Sequence, residues 1–120
     1  MEKLIRNIPH EKPVSLAGEV AFQPGQIVSK TLAQDNHHSL TLFAFDRGEE
    51  VSTHESGGDA MILALEGQGR ITIDGKEYTV TAGETIIMPA KKPHAVFAES
   101  PFKMLLIVIF PEEKKNESID

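Results

Sequence analysis

An all-β barrel or sandwich is the fold class that the sequence predicts, and three observations predict it. Short segments rich in β-branched and large apolar residues recur at roughly 8–12-residue intervals, with Gly, Pro, Asp or Lys between them. Helical periodicity of apolar residues is scarce. Within "ITIDGKEYTV", the pair Asp74-Gly75 separates two alternating stretches, which is the strongest short-range signal for a tight hairpin.

Taken in order, residues 1 to about 20 carry scattered apolar positions (Leu4, Ile5, Ile8, Val14, Leu16, Val20) between prolines and suit irregular edge strands. Strands are predicted at "SLTLFAFD" (39–46), "AMILALEG" (60–67), the two arms of "GRITIDGKEYTV" (69–80), "ETIIMPA" (84–90), "HAVFAES" (94–100) and "KMLLIVIF" (103–110). "TLFAF", "MILAL" and "MLLIVIF" are apolar at successive positions, so these strands are expected to be covered on both faces. One face would line a barrel interior and the other would meet a second sheet or a partner subunit, which makes a homodimer the expected assembly. From Pro111 the chain is polar and charged apart from Ile119 and is expected to form a flexible tail.

The length of 120 residues supports one domain with its own core and not two. That domain is placed at residues 1–110, with 1–39 as N-terminal edge strands, 40–110 as the core, and 111–120 as the tail. A net charge of −6 leaves no basic field for nucleic acid or anionic lipid. The chain has no cysteine, which removes disulfides, thiolate nucleophiles and cysteine-based metal sites from consideration. "MEKLIRNIPHEKP" lacks the apolar core of a signal peptide, and "MLLIVIF" (104–110) falls far short of the roughly 20 residues needed to cross a bilayer. A cytoplasmic protein with no nucleic-acid or membrane partner is expected.

The spacing of glycines, prolines and histidines carries a resemblance. Gly48 is followed by His54, and Gly67 closes that segment; Gly83 leads to Pro89, and "AKKP" carries the count to His94. Roughly fifteen residues, holding the Asp74-Gly75 hairpin, separate the two segments. Across about residues 40–110 the chain resembles a small single-domain cupin, whose motifs read G-x5-H-x-H-x3,4-E-x6-G and G-x5-P-x-G-x2-H-x3-N. The resemblance implies a cupin-type double-stranded β-helix, or jelly-roll, barrel. It also implies where metal ligands would stand, and here the chain departs from the family. The second histidine of the first motif is Ser56 and the glutamate position is Ala60; in the second motif Lys91 replaces the glycine and Ala98 the asparagine. The family's ligands carry over only to His54 and His94.

A zinc or non-haem iron centre ordinarily takes at least three protein ligands. Residues 54, 56 and 60 share strand parity, so Ser56 and Ala60 are expected to face the interior beside His54. Asp59 is a candidate third ligand only if Gly57-Gly58 forms a bulge that re-aims it inward. His37 and His38 in "QDNHHS" are a further source, or else two imidazoles of a polar turn. The pocket is expected to be lined by His54, Ser56, Ala60, Met61, Met88, His94 and Met104, with Phe43 or Phe45 and Leu106 in its walls. Lys91 and Lys92, in the turn before His94, either attract an anion or form a solvated turn. Three functions follow from these residues. The first is a small-molecule-binding cupin with little or no metal, favoured by the retained histidine pair beside lost ligands. The second is a metal-dependent enzyme, dioxygenase or isomerase-like, in which His54, His94 and a third ligand hold Fe, Mn, Ni or Zn. The third is metal-free acid–base catalysis by His54 and His94. The substrate is not legible, since one fold supports many activities.

Overall fold

The computed structural model describes residues 3–112; the expected tail therefore lies outside the described residues from position 113 onward. Within them are a 3₁₀ turn, Leu16–Glu19, and nine strands: β1 (Ile27–Gln34), β2 (His38–Phe45), β3 (Glu50–His54), β4 (Asp59–Glu66), β5 (Gln68–Ile73), β6 (Lys76–Thr81), β7 (Thr85–Met88), β8 (His94–Ala98) and β9 (Phe102–Ile109). They form two antiparallel sheets, one of order β1-β2-β9-β4-β7 and one of order β3-β8-β5-β6. The architecture is all-β, as the sequence predicts, and is the jelly-roll barrel that the resemblance implies. No helix of the described residues is long and apolar enough to cross a membrane.

The hairpin signal is realised in full. Asp74 and Gly75 both have positive φ, 51° and 84°, and Ile73 pairs directly with Lys76. Two left-handed residues between paired strands are the geometry of a type I′ turn, whose twist matches that of the strands it joins. Two strands escape the sequence reading as separate elements. β1 lies inside the region read only as edge strands, and it does form an edge of the five-stranded sheet. β3 holds one large apolar residue, Val51, among polar ones, so it carries almost no hydrophobic pattern.

Alternation decides what each strand buries. In β4, Ala60, Ile62 and Ala64 are buried between the sheets, while Asp59 and Met61 face outward. In β9, Phe102, Met104, Leu106 and Val108 belong to the inter-sheet core. One end of that core is solid: Phe45 and Phe102 pair across the β2–β9 ladder with ring centroids 5.9 Å apart, and neither is exposed. Burying such a side chain fully contributes about 1.5–3 kcal/mol.

A second apolar cluster covers the outer face of the five-stranded sheet. Leu42, Ala44 and Leu105 pack there under Val20, with Ile8, Leu16 and Phe22 against them. The cover over this part of the doubly apolar strands thus comes from the N-terminal segment of the same chain, and the pattern does not by itself require a partner. Lys103 pins that segment. Its ammonium donates to the Ala17 carbonyl at 2.6 Å, lies 4.8 Å over the Phe22 ring and stands 3.6 Å from Glu66, with the residue only 9% exposed.

Candidate functional site

The barrel is solid at its Phe45–Phe102 end and hollow at the other. There a cavity of about 440 Å³ opens between the sheets. Its walls are mostly apolar, and His54, Glu55, Ser56 and His94 are its polar residues. That is the usual composition of a small-molecule site.

Strand pairing brings the two histidines together. β3 and β8 are adjacent, and His54 is the direct cross-strand neighbour of His94. Their rings meet edge to face, with centroids 4.4 Å apart and planes inclined at 69°. Each ring is anchored to its own strand by the same contact: His54 Nδ1 lies 3.0 Å from the Ser52 carbonyl oxygen, and His94 Nδ1 lies 3.1 Å from that of Lys92. A carbonyl oxygen can only accept, so each Nδ1 carries the proton and donates. In the neutral ring the lone pair then sits on Nε2, at the distal end. His54 is exposed at the mouth, whereas His94 is only 3% exposed. Burial penalises a charged His94 and lowers its pKa below the usual 6.5, with proximity to His54 acting in the same direction and the Lys92 carbonyl opposing both.

Of the pocket residues expected from the sequence, His54, Ser56, Ala60, Met88, His94 and Met104 line this cavity, as do Phe43 and Leu106. Met61 does not, and its placement in the pocket needs correcting. Alternation along β4 turns it to the outer surface, where it is 36% exposed beside Ile87 and Ile109. Phe45 belongs to the solid core beneath Phe43. Reasoning from the motifs missed Glu55, Val51, Val96, Val108 and Phe110, which also line the cavity. Parity along "HAVFA" and "MLLIVIF" could have found Val96 and Val108. Nothing in the sequence marks Glu55.

A third metal ligand is not supplied. Asp59 faces away from the cavity and its Oδ1 accepts from the Ala90 amide at 2.8 Å, tying the start of β4 to the turn that follows β7. The glycine pair before it does not act as a re-aiming bulge. A Cβ on Gly58 would strike the Ile109 carbonyl oxygen, so this glycine serves close approach of β4 to β9 while Asp59 stays in ordinary register opposite Ile109. His37 lies in the β1–β2 turn and His38 opens β2; the Asp35 carboxylate accepts from both backbone amides at 2.7 and 2.8 Å and lies 3.0 Å from the His38 ring. Those amide contacts hold the Asp35 carboxyl below its usual pKa. Among the described residues no three His, Asp or Glu side chains stand close enough to hold a metal ion. The family's ligand positions hold two imidazoles, a serine and an alanine, and Glu55 at the mouth does not join the two histidines in a group that could hold a metal, so the described residues do not fit a three-ligand metal centre.

Lys91, which stands where the family motif has glycine, keeps a glycine-like backbone with φ of 69°. Its amide donates to the Ser56 carbonyl at 2.8 Å, joining the turn before His94 to the one after His54. Its backbone thus helps to hold the two motif segments together.

Comparisons with known proteins agree with this architecture. Residues 41–110 match the cupin domain family. The chain is similar to a conserved protein of unknown function from Streptococcus pyogenes, at 44% identity and a TM-score of 0.91 over 93% of this chain and 98% of that one. It is also similar to a cupin superfamily protein from Desulfitobacterium hafniense, at 34% identity and a TM-score of 0.86 over 89% and 98% of the two chains. A curated relative, the dimethylsulfoniopropionate lyase DddW of Ruegeria pomeroyi, is 28% identical over 81 residues; the match covers 68% of this chain and 52%, about half, of that protein. With two motif segments, a jelly-roll barrel and a matched stretch covering most of its length, the chain belongs to the cupin domain family.

Proposed function

We propose that this cupin binds a small molecule in the hollow end of its barrel, oriented by His54 and His94 and without a three-ligand metal centre. The observation that carries the reading is an apolar cavity of about 440 Å³ into whose wall two anchored imidazoles are built side by side. Apolar walls give affinity through area removed from water, and a few fixed polar groups select the ligand's orientation. Exposed Met61, Ile87 and Ile109 on the outer face support the accompanying reading of a homodimer, and the cysteine-free chain suits a reducing cytoplasm.

Metal analysis of the purified, untagged protein comes first, repeated after incubation with Fe, Mn, Ni and Zn and with the variants His54→Ala and His94→Ala. Substoichiometric metal that neither variant changes is the expected result. Near-stoichiometric metal lost in both variants would overturn the metal-free reading.

A second reading is acid–base catalysis on the bound molecule. Two observations favour it: burial favours the uncharged form of His94, and one relative, matched over about half of its length, is named as a lyase. The neutral Nε2 of His94 takes a proton from the bound molecule, and the imidazolium so formed returns it to the product. Turnover of a candidate substrate that His94→Gln abolishes while binding persists would favour this reading over binding alone.

A further inference from the structure

The polar groups of the cavity share one property, which bears on the class of ligand. Each imidazole has committed its Nδ1 proton to a backbone carbonyl, so what each neutral ring has left to offer is the Nε2 lone pair. Ser56 Oγ accepts from the Gly58 amide at 3.2 Å. Glu55, the remaining polar side chain of the lining, brings a negative charge. None of the described lining residues carries a lysine or arginine charge; Lys91 lines a neighbouring outer groove, beside Asp59, that shares Gly57 and Phe110 with the cavity. The wall therefore presents electron pairs and a carboxylate, with the Ser56 hydroxyl as its remaining side-chain donor when the imidazoles are neutral. These groups are not scattered. Glu55 and His54 are exposed at the mouth with His94 beside them, whereas Met88 and Met104 are each 2% exposed deeper in.

Resting on the pocket reading above, we propose that the cavity selects a small organic cation, an alkyl or aryl ammonium, over a carboxylate of the same size. The ammonium N–H groups donate to Nε2 of His54 and His94 while Glu55 balances the charge at the open end. The apolar tail lies along Met104 and Leu106. Phe43 and Phe110 add aromatic rings, whose π faces attract cations when they approach face-on. A carboxylate in the same place meets lone pairs and the Glu55 charge, with little more than the Ser56 hydroxyl to donate to it. Charge-assisted hydrogen bonds are about twice as strong as neutral ones, so the discrimination is expected to be large.

Three probes of matched length separate the possibilities: n-hexylammonium, 1-hexanol and n-hexanoate, titrated by calorimetry at pH 8 with a chelator present. That pH lies above the ordinary histidine pKa and below that of an alkylammonium, which stays charged as a lysine does. Hexylammonium is expected to bind at least about tenfold more tightly than hexanoate, with hexanol between them. Glu55→Gln, at an exposed position that does not threaten folding, is expected to weaken hexylammonium about threefold and leave hexanol unchanged. Hexanoate binding as tightly as hexylammonium, or an unchanged preference in Glu55→Gln, overturns the cation proposal while hexanol binding keeps the pocket reading intact. If none of the three binds, the pocket reading falls and the cation proposal falls with it.

Discussion

His94 shows how one buried side chain ties the site to the stability of the fold. Its depressed pKa means that the unfolded chain binds a proton more readily than the folded one as pH falls below about 6.5. The stabilisation is fully present above that value, declines as pH falls through it, and levels off below the folded pKa. The urea midpoint should therefore drop between pH 8 and pH 5, and the drop should be shallower in His94→Asn. Equal slopes for the two proteins would show that His94 is not the group responsible. His54, Ser56 and His94 could be located from motif spacing because a motif names positions one by one. Glu55 could not, since an exposed glutamate next to a motif histidine looks like any solvated residue. Its meaning comes from being the one acidic residue among the described residues that line the cavity.

At the level of elements, strand alternation carried most of the information, and its failures have physical causes. Met61 was misplaced because "MILAL" is apolar at every position, so hydrophobicity cannot say which parity faces inward. The ladder decides it: Ala60 pairs with Met88 and Val108, which face the cavity, and Met61 pairs with Ile87 and Ile107. The β7–β8 turn offers a sharper test. Lys91 holds φ of 69° where the family motif has glycine, and a side chain in the left-handed region costs about 1–2 kcal/mol. Part of that is offset because glycine makes the unfolded chain more flexible. Lys91→Gly should accordingly stabilise the protein by about 0.5–1 kcal/mol in urea unfolding. A neutral or destabilising result would mean that the Lys91 side chain contributes more than its backbone costs.

For the whole molecule, the N-terminal segment covers part of the outer sheet face for which the sequence predicts a second sheet or a partner. Lys103 fastens it by a charged hydrogen bond to Ala17 and a ring contact with Phe22; the Glu66 pair adds little because that carboxylate is half exposed. Lys103→Met keeps most of the volume and leaves the Ala17 carbonyl without this donor. It should cost about 1.5–3 kcal/mol. Hydrogen exchange should also speed up at Arg6, whose amide bonds to the Leu32 carbonyl, more than in the inter-sheet core. Uniform loss of protection would mean that the segment and the barrel unfold as one unit.

The chain's own pattern of short strands and its Asp74-Gly75 turn were enough to predict an all-β barrel or sandwich, and the resemblance carried by its two spaced segments implied a cupin barrel with His54 and His94 at motif positions. These are local properties: periodicity, turn conformation and residue spacing act within a few residues. Which end of the barrel is hollow, where Asp59 points, what covers the outer sheet and which charge borders the cavity were decided by the tertiary structure. Each depends on pairing between segments distant in sequence, as in β4 with β9 or Lys103 with Ala17. No local pattern encodes such a partner, because the energy that selects it comes from packing and satisfied hydrogen bonds in the assembled fold.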